Sequence, residues 1–370
     1  MTDETYMKLA LDSAQKGCGW VNPNPMVGAV IVKNSRIIGA GYHEQYGALH
    51  AERNALAACT EPPQGATLYV TLEPCCHFGK TPPCTDAILA SGIKRVVIGS
   101  PDPNPLVARK GVETLRQNGI QVTEGILLQE CHKLNEVFFH FIQHQTPYVV
   151  MKYAMTMDGK IATHLGESKW ITGEVAREHV QKGRHRYMGI LVGVGTILKD
   201  NPSLTCRLPH SKSPIRIICD THLKTPLEAQ VIQTAKIYPT LLATCCTDQA
   251  KTSPYLAAGC EVLVVSEEAA HIALKELLLL LGQKGIDSLL LEGGNTLNGA
   301  FLEKGLVNKV QAYLAPKLFG GTTAKSPIGG LGVKYPDEAV KLSPPEVTLL
   351  GEDILLESEV LPCSQVLLKK

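Results

Sequence analysis

Along the first 145 residues the hydrophobic positions switch repeatedly between two periods, one suited to a helix and one to a strand. Residues 2–16 carry the helical period, and 27–32 with 37–40 read as a hairpin turning at Lys33-Asn34-Ser35-Arg36. A helix follows over 50–58 and a strand over 67–72. Next come a helix over 85–90 that stops at Gly92, a strand over 95–98, and a helix over 110–118 with Gly119 behind it. That order predicts an alternating α/β sandwich. Residues 127–142 read as one more helix, and the polar run Gln143-His144-Gln145-Thr146-Pro147 after it marks a seam, giving domains of 1–145 and 146–370.

The second half continues in the same style. Strands are expected over 148–154, 189–194, 215–219, 241–244, 261–265, 288–292 and 309–315, alternating with helices such as 174–182 and 272–281. This predicts a second layered α/β domain around a largely buried sheet. The sequence contains no internal repeat and no low-complexity tract.

Composition narrows the class. A chain of 370 residues exceeds what one core usually organises, in keeping with two domains. Lys plus Arg number 36 against 35 Asp plus Glu, and no block of like charge occurs, so a nucleic-acid backbone or an anionic membrane is a poor partner and a small molecule a better one. The N-terminus Met1-Thr2-Asp3-Glu4-Thr5 is acidic where a signal peptide would be basic, and the longest apolar run, 277–281, is too short to span a bilayer. A cytoplasmic protein is expected. Its 12 Cys then read as thiols, and a few of them as metal ligands.

The chemistry concentrates in His50-Ala51-Glu52 and in Thr71-Leu-Glu-Pro-Cys-Cys-His-Phe-Gly-Lys-Thr-Pro-Pro-Cys84. One imidazole, two thiols and a nearby carboxylate form the ligand set of a hydrolytic zinc site, in which three protein ligands leave a position for water. Zinc deaminases combine H-x-E, whose Glu shuttles protons, with P-C-x-x-C. Here Pro74-Cys75 is followed by eight residues before Cys84. Because Cys75 ends a strand and Cys84 begins a helix, that excursion can bulge out without moving either thiol, and the helix N-terminus helps to hold Cys84 as thiolate. His50 and Glu52 can share one site only if His50 sits at the leading edge of its helix. His77 and Lys80 within the excursion would suit a phosphorylated ligand. A structural zinc site or idle thiols is the blander alternative.

These two motifs, with Pro23-Asn24-Pro25 upstream and Asp102-Pro-Asn-Pro105 downstream, resemble the deaminase half of the bifunctional riboflavin-biosynthesis deaminase/reductase family. The resemblance implies a cytidine-deaminase-like α/β/α sandwich, with zinc on His50, Cys75 and Cys84 and Glu52 as catalytic proton carrier. It also implies that Asn24, His43, His77 and Lys80 contact the pyrimidine and its phosphoribosyl tail. Taken alone, His43 in Gly41-Tyr42-His43-Glu44 would be a solvated turn residue.

In the second half Gly193-Val194-Gly195 lacks the third glycine of a dinucleotide fingerprint, and Gly294 to Gly299 has P-loop spacing but is followed by Ala300-Phe301. Leu289-Leu-Leu-Glu-Gly-Gly294 reads as a buried strand whose glycines open a helix over 296–302, so backbone N–H groups could meet a pyrophosphate, or the glycines could serve packing alone. Together with 152–160, 166–172 and 195–205, this segment resembles the successive site loops of the family's dihydrofolate-reductase-like half. The resemblance implies NADPH against Ala154, Trp170, Thr196, Asp200, Thr221 and Gly294, Asn295, Thr296, Leu297, Asn298, Gly299 and Ala300. It implies substrate on Ser168, Arg184, Leu204, Arg207 and Glu292, with Lys152 catalytic near the reacting centre. Surface charge for Arg184 and Arg207, and plain core for Trp170, are the alternatives.

The expected activity is therefore twofold: zinc-dependent hydrolytic deamination of a diamino-phosphoribosylamino-pyrimidinone, then NADPH reduction of the ribosyl group to ribityl, in a homo-oligomer. The competing readings are a nucleic-acid base deaminase, or a deaminase whose second domain is structural.

Overall fold

The structure, a computed structural model, describes residues 1–77, 82–104 and 108–362. It divides into two compact units, Met1–Gln145 and Thr146–Lys370. Among the described residues no helix is long and apolar enough to cross a membrane, and all the cysteines are free thiols.

The first unit runs α1 (Asp3–Ala14), β1 (Gly28–Lys33), β2 (Arg36–Tyr42), α2 (Ala51–Ala57), β3 (Thr67–Leu72), α3 (Cys84–Ala90), β4 (Arg95–Ser100), α4 (Lys110–Gln117), β5 (Gln121–Glu124), α5 (Leu128–Leu134) and α6 (Glu136–His144). Its five strands order as β2-β1-β3-β4-β5, with β1 antiparallel to β2 and β3 and the remaining pairs parallel. The β1–β2 turn is tighter than the sequence suggests: Asn34 and Ser35 both take positive φ (50° and 60°), so the ladder closes at Lys33–Arg36 around a two-residue turn. One apolar face packs Ile31, Leu68, Val96 and Ile98 with Ala55, Ile88 and Leu115 from α2, α3 and α4. The other packs Val30, Tyr69 and Val97 under Met7 and Leu11 of α1 and Cys131 of α5.

Residues 127–142 are not one helix. The chain breaks at Asn135 (φ −109°, ψ 23°), a buried amide that accepts from Met26 N–H at 2.8 Å and donates to Met26 O at 2.9 Å. Those two bonds hold the turn containing Asn24 to the start of α6, and a long-range amide pair of this kind leaves no trace in hydrophobic period. Strand β5 also escapes the period, because Gln121-Val-Thr-Glu124 lies at the edge of the sheet with little to bury.

The second unit runs β6 (Tyr148–Thr156), α7 (Glu174–Arg186), β7 (Gly189–Gly193), α8 (Val194–Asp200), β8 (Ile215–Cys219), α9 (Gln230–Gln233), β9 (Thr240–Thr244), α10 (Gln249–Ala258), β10 (Glu261–Val264), β11 (Glu267–Glu268), β12 (His271–Ile272), α11 (Leu274–Gln283), β13 (Ser288–Leu291), α12 (Asn295–Glu303), β14 (Lys309–Ala315), β15 (Glu346–Leu350) and β16 (Asp353–Glu359). Nine strands order as β10-β9-β8-β7-β13-β6-β14-β16-β15; they are parallel from β10 to β14 and antiparallel at β16 and β15. Ile272, expected in a helix, pairs in the small β11–β12 hairpin instead. Strand β13 lies between β6 and β7, so the carboxyl ends of these three strands form the point where the winding reverses, the usual ligand crevice of such sheets.

Arg216 on β8 is fully buried, and its hydrogen bonds among the described residues go to hydroxyl and backbone oxygens. Its guanidinium donates to Thr240 Oγ1 (2.9 Å), Thr234 Oγ1 (2.8 Å), Val231 O (2.8 Å), Tyr238 O (2.9 Å) and Ser203 O (3.2 Å), all neutral oxygens. Arg216→Met should strand those acceptors and lower the stability of the second unit by about 3 kcal/mol or more. Thermal unfolding followed by loss of NADPH oxidation, with ammonia release as the internal control, measures it.

Candidate active sites

In the first unit the site forms where two elements begin and one ends. His50 is the N-cap of α2, with extended backbone (φ −74°, ψ 160°), so the imidazole and Glu52 in the first turn can converge although they are two residues apart. Cys75 follows the end of β3, and Cys84 is the first residue of α3. The Sγ atoms of Cys75 and Cys84 lie 3.5 and 3.3 Å from His50 Nδ1, and all three donor atoms fall within 4.8 Å of one another. Two thiols and one imidazole at that separation fit a tetrahedral zinc with one position left over.

The start of α3 also serves Cys75. The amide of Cys84 donates to Cys75 Sγ at 3.3 Å. A hydrogen bond from the Cys84 thiol, with His50, holds Cys75 down to about 4, whereas that same bond and burial push Cys84 up. A zinc bound by both sulfurs would hold each as thiolate. Burial raises the Glu52 carboxyl above the usual carboxylate range, with the negative charge of Cys75 acting in the same sense. That suits a group which must take up and release a proton near neutrality.

These residues open on a cavity of about 270 Å³ lined also by Asn24, His43, Tyr46, Glu73, His77, Asp102, Asn104 and Phe138. His43 is buried rather than a solvated turn residue, and burial lowers its pKa. Its Nδ1 lies 3.0 Å from Leu49 O and must donate there, so Nε2 accepts from Asn24 Nδ2 at 3.1 Å. The Asn24 carbonyl oxygen is then the end left for a ligand. His77 Nδ1 is buried without a partner among the described residues, beside the same cavity. Asp102, raised to about 6 by burial, accepts from Asn104 N–H at 2.8 Å. Lys80 lies outside the described residues, as do Phe78 and Pro105 of the same motifs. Glu73, Tyr46 and Phe138 were not singled out from sequence; the only signal was the position of Glu73 two residues before Cys75.

In the second unit Lys152 and Ala154 on β6, Glu292 after β13, Thr196 on α8 and Thr221 after β8 gather at the carboxyl ends of parallel strands. Residues 152–155 are half-buried although β6 lies well inside the sheet, so the crevice opens above them. Glu292 is the hub. Arg184 donates to it bidentately, Nε to Oε1 at 2.9 Å and Nη2 to Oε2 at 3.0 Å, and Lys152 Nζ lies 3.8 Å from Oε2. Burial opposes the charge on Glu292, but Arg184 and Lys152 hold it down to about 2. Burial also lowers the Lys152 pKa, against the pull of Glu292. Arg184, which the resemblance places on the substrate, also donates to Thr205 O at 3.1 Å. Arg207 remains exposed near it in sequence.

Trp170 is not core: it is 61% exposed, and the Arg177 guanidinium sits 4.8 Å from its ring centroid. Leu204 is buried with φ +55°, its side chain packed in the hydrophobic cluster with Ile197 and Val231. Ser168 and Asp200 are half-buried. Helix α12 begins with no side-chain cap, leaving the first amides of Asn295, Thr296 and Leu297 for an anion, a fit to a pyrophosphate. Asn298 Nδ2 donates to Pro327 O at 3.0 Å, and a Cβ on Gly299 would stand 2.4 Å from Gly329 O, so both residues pack against residues 327–329.

A family model described as the cytidine and deoxycytidylate deaminase zinc-binding region matches residues 1–100, and one described as the RibD C-terminal domain matches residues 147–356. Fold and site together define a zinc-dependent deaminase joined to an NADPH-dependent reductase. The riboflavin biosynthesis protein RibD of Actinobacillus pleuropneumoniae is 56% identical over 98% of this chain and 96% of its own length, and that of Escherichia coli is 38% identical over 96% and 99%. Among solved structures, the diaminohydroxyphosphoribosylaminopyrimidine deaminase/5-amino-6-(5-phosphoribosylamino)uracil reductase of Thermotoga maritima superposes with a TM-score of 0.86 at 40% identity, covering 97% of this chain and 99% of that one. RibD of Acinetobacter baumannii gives 0.87 at 36% identity, with the same coverages. The chain belongs to the RibD family of bifunctional deaminase/reductases of riboflavin biosynthesis.

Proposed function

We propose that the first unit deaminates a diamino-phosphoribosylamino-pyrimidinone and that the second reduces the ribosyl group of the aminouracil product to ribityl. The observation that carries the reading is the convergence of His50, Cys75 and Cys84 beside a buried Glu52, together with the Lys152–Glu292–Arg184 cluster at the sheet crevice of the second unit. Zinc bound by His50, Cys75 and Cys84 supplies the acidity that makes water a nucleophile near neutral pH. Glu52 would take a proton from the attacking water and pass it to the departing amino group, a role the direction of its pKa supports. Asn24 offers its carbonyl oxygen to an N–H of the pyrimidine, with His43 fixing the amide, while His77 and Lys80 take the phosphoribosyl tail.

In the second unit NADPH supplies hydride when bound against the α12 amides, Ala154, Trp170, Thr196, Asp200 and Thr221. Lys152, held by Glu292, stands at the reacting sugar carbon, while Ser168, Arg207 and the Leu204 backbone bind the rest of the substrate and Arg184 orients Glu292. The name of the Thermotoga relative supports this substrate pair. The exposed apolar side chains of the edge strand β15, Val347 and Leu349, support a homo-oligomer. The near-zero net charge supports a small-molecule rather than a nucleic-acid partner, and we read the protein as cytoplasmic.

Ammonia release and NADPH absorbance followed in one cuvette, with the phosphorylated substrate and its dephosphorylated analogue, test the proposal. Both signals should appear in sequence for the phosphorylated compound only. Ammonia without NADPH oxidation would leave the second unit structural, and deamination of RNA in place of the small pyrimidine would overturn the substrate.

A further inference from the structure

Glu73 lies between the end of β3 and the metal-ligating Cys75, and is 3% exposed. Its carboxylate accepts four backbone N–H groups: Gly111 (3.1 Å) and Val112 (3.2 Å) at Oε1, Asp102 (3.3 Å) and Arg109 (3.1 Å) at Oε2. The first pair caps α4, whose own N-cap, Arg109, has left-handed backbone (φ 63°) and gives no side-chain cap. Capping needs no more than that pair. The second pair holds the backbone at Asp102 and Arg109; Asp102, which accepts from Asn104 N–H, faces the cavity with Asn104. The grip is reinforced from the strand side: Glu73 N–H donates to Ser100 O at 2.9 Å, and a Cβ on Gly111 would stand 2.2 Å from Pro74 O. Glu73 therefore sets where the cavity wall at Asp102 and Asn104 stands relative to the strand end that carries Cys75.

We propose that Glu73 is a positioning residue for the deaminase, one that fixes the substrate-facing wall at Asp102 and Asn104 through its four backbone bonds and so governs substrate fit rather than the chemical step. The proposal rests on the deaminase reading of this cavity. A carboxylate is required because all four partners are donors. An amide at the same place turns an NH2 group against two of them. It loses bonds worth more than neutral ones and leaves buried N–H groups unpaired.

The test uses the full-length, zinc-loaded chain. Glu73→Gln should raise KM for the diaminopyrimidinone about tenfold or more while kcat stays within about threefold, the signature of lost binding shared by ground and transition states. Bound zinc and the reductase activity of the same preparation should be unchanged. Gly111→Ala leaves Glu73 intact and pushes α4 off Pro74, so it should split KM from kcat in the same direction. It carries the test should Glu73→Gln fail to fold.

Unaltered KM in both variants alongside a lowered thermal midpoint would make Glu73 only a helix cap and overturn the proposal. A fall in kcat of about 100-fold at constant KM would make it a proton-transfer group and overturn it equally. A parent chain that releases no ammonia from this substrate would remove the deaminase reading and the proposal with it, an outcome distinct from the other two.

Discussion

Glu52→Gln keeps its zinc and loses deamination by at least about 100-fold, the usual consequence of removing a general acid/base. The substitution preserves shape and removes only the ability to carry a proton. The metal should stay because its donors are on His50, Cys75 and Cys84, all within 4.8 Å of one another. The fold should not suffer either: Glu52 is buried, and burial raises its pKa by penalising the charged form, a penalty that glutamine lacks. Metal analysis, a thermal midpoint and ammonia release on one preparation check all three. A rate within about threefold of the parent would remove Glu52 from its role.

Glu292→Gln abolishes reduction, by about 100-fold or more, and leaves ammonia release intact. The carboxylate faces two cations, Arg184 at 2.9 Å and Lys152 at 3.8 Å, in a cluster whose side chains are no more than 15% exposed. Removing one partner of such a buried group strands the others, at about 3 kcal/mol or more. Lys152 then loses the attraction that opposes its desolvation, so both its position and its charge should shift. The pH sense follows from Glu292 being held down to about 2: the stability it contributes is fully present above the ordinary carboxylate range and is lost progressively as pH falls from that range through about 2. Across pH 5–8 Glu292 should therefore stay ionised in the parent chain. NADPH oxidation on pre-deaminated pyrimidine measures the prediction, and an unchanged rate would exclude Glu292 from the site.

Much of this architecture was legible because it depends on local rules. The motif around His50 and Cys75 specifies donor chemistry, and the strand and helix periods specify where the chain turns, so the metal triad, the strand-to-helix setting of Cys84 and most of the parallel sheet could be read directly. What stayed hidden depends on long-range polar contacts. Asn135 breaks a helix to pair with Met26, 109 residues away, and Glu73 binds amides up to 39 residues away. Neither alters the hydrophobic pattern. Strand β15 was missed because its positions are mostly exposed, and β16 because its buried and exposed positions do not alternate cleanly. Arg184 belongs with them: residue chemistry marks a bidentate cation, but its pairing with Glu292, 108 residues away, leaves no local signal.

The setting of Arg216 bears on which sequences can drift at that position. No other natural side chain presents five donors in a plane; lysine, with three on a single point, could reach only a fraction of the oxygens that Val231, Tyr238, Thr234, Thr240 and Ser203 direct inward. Any replacement must be accompanied by changes at several surrounding positions at once, so the residue is locked in by its surroundings and not by catalysis.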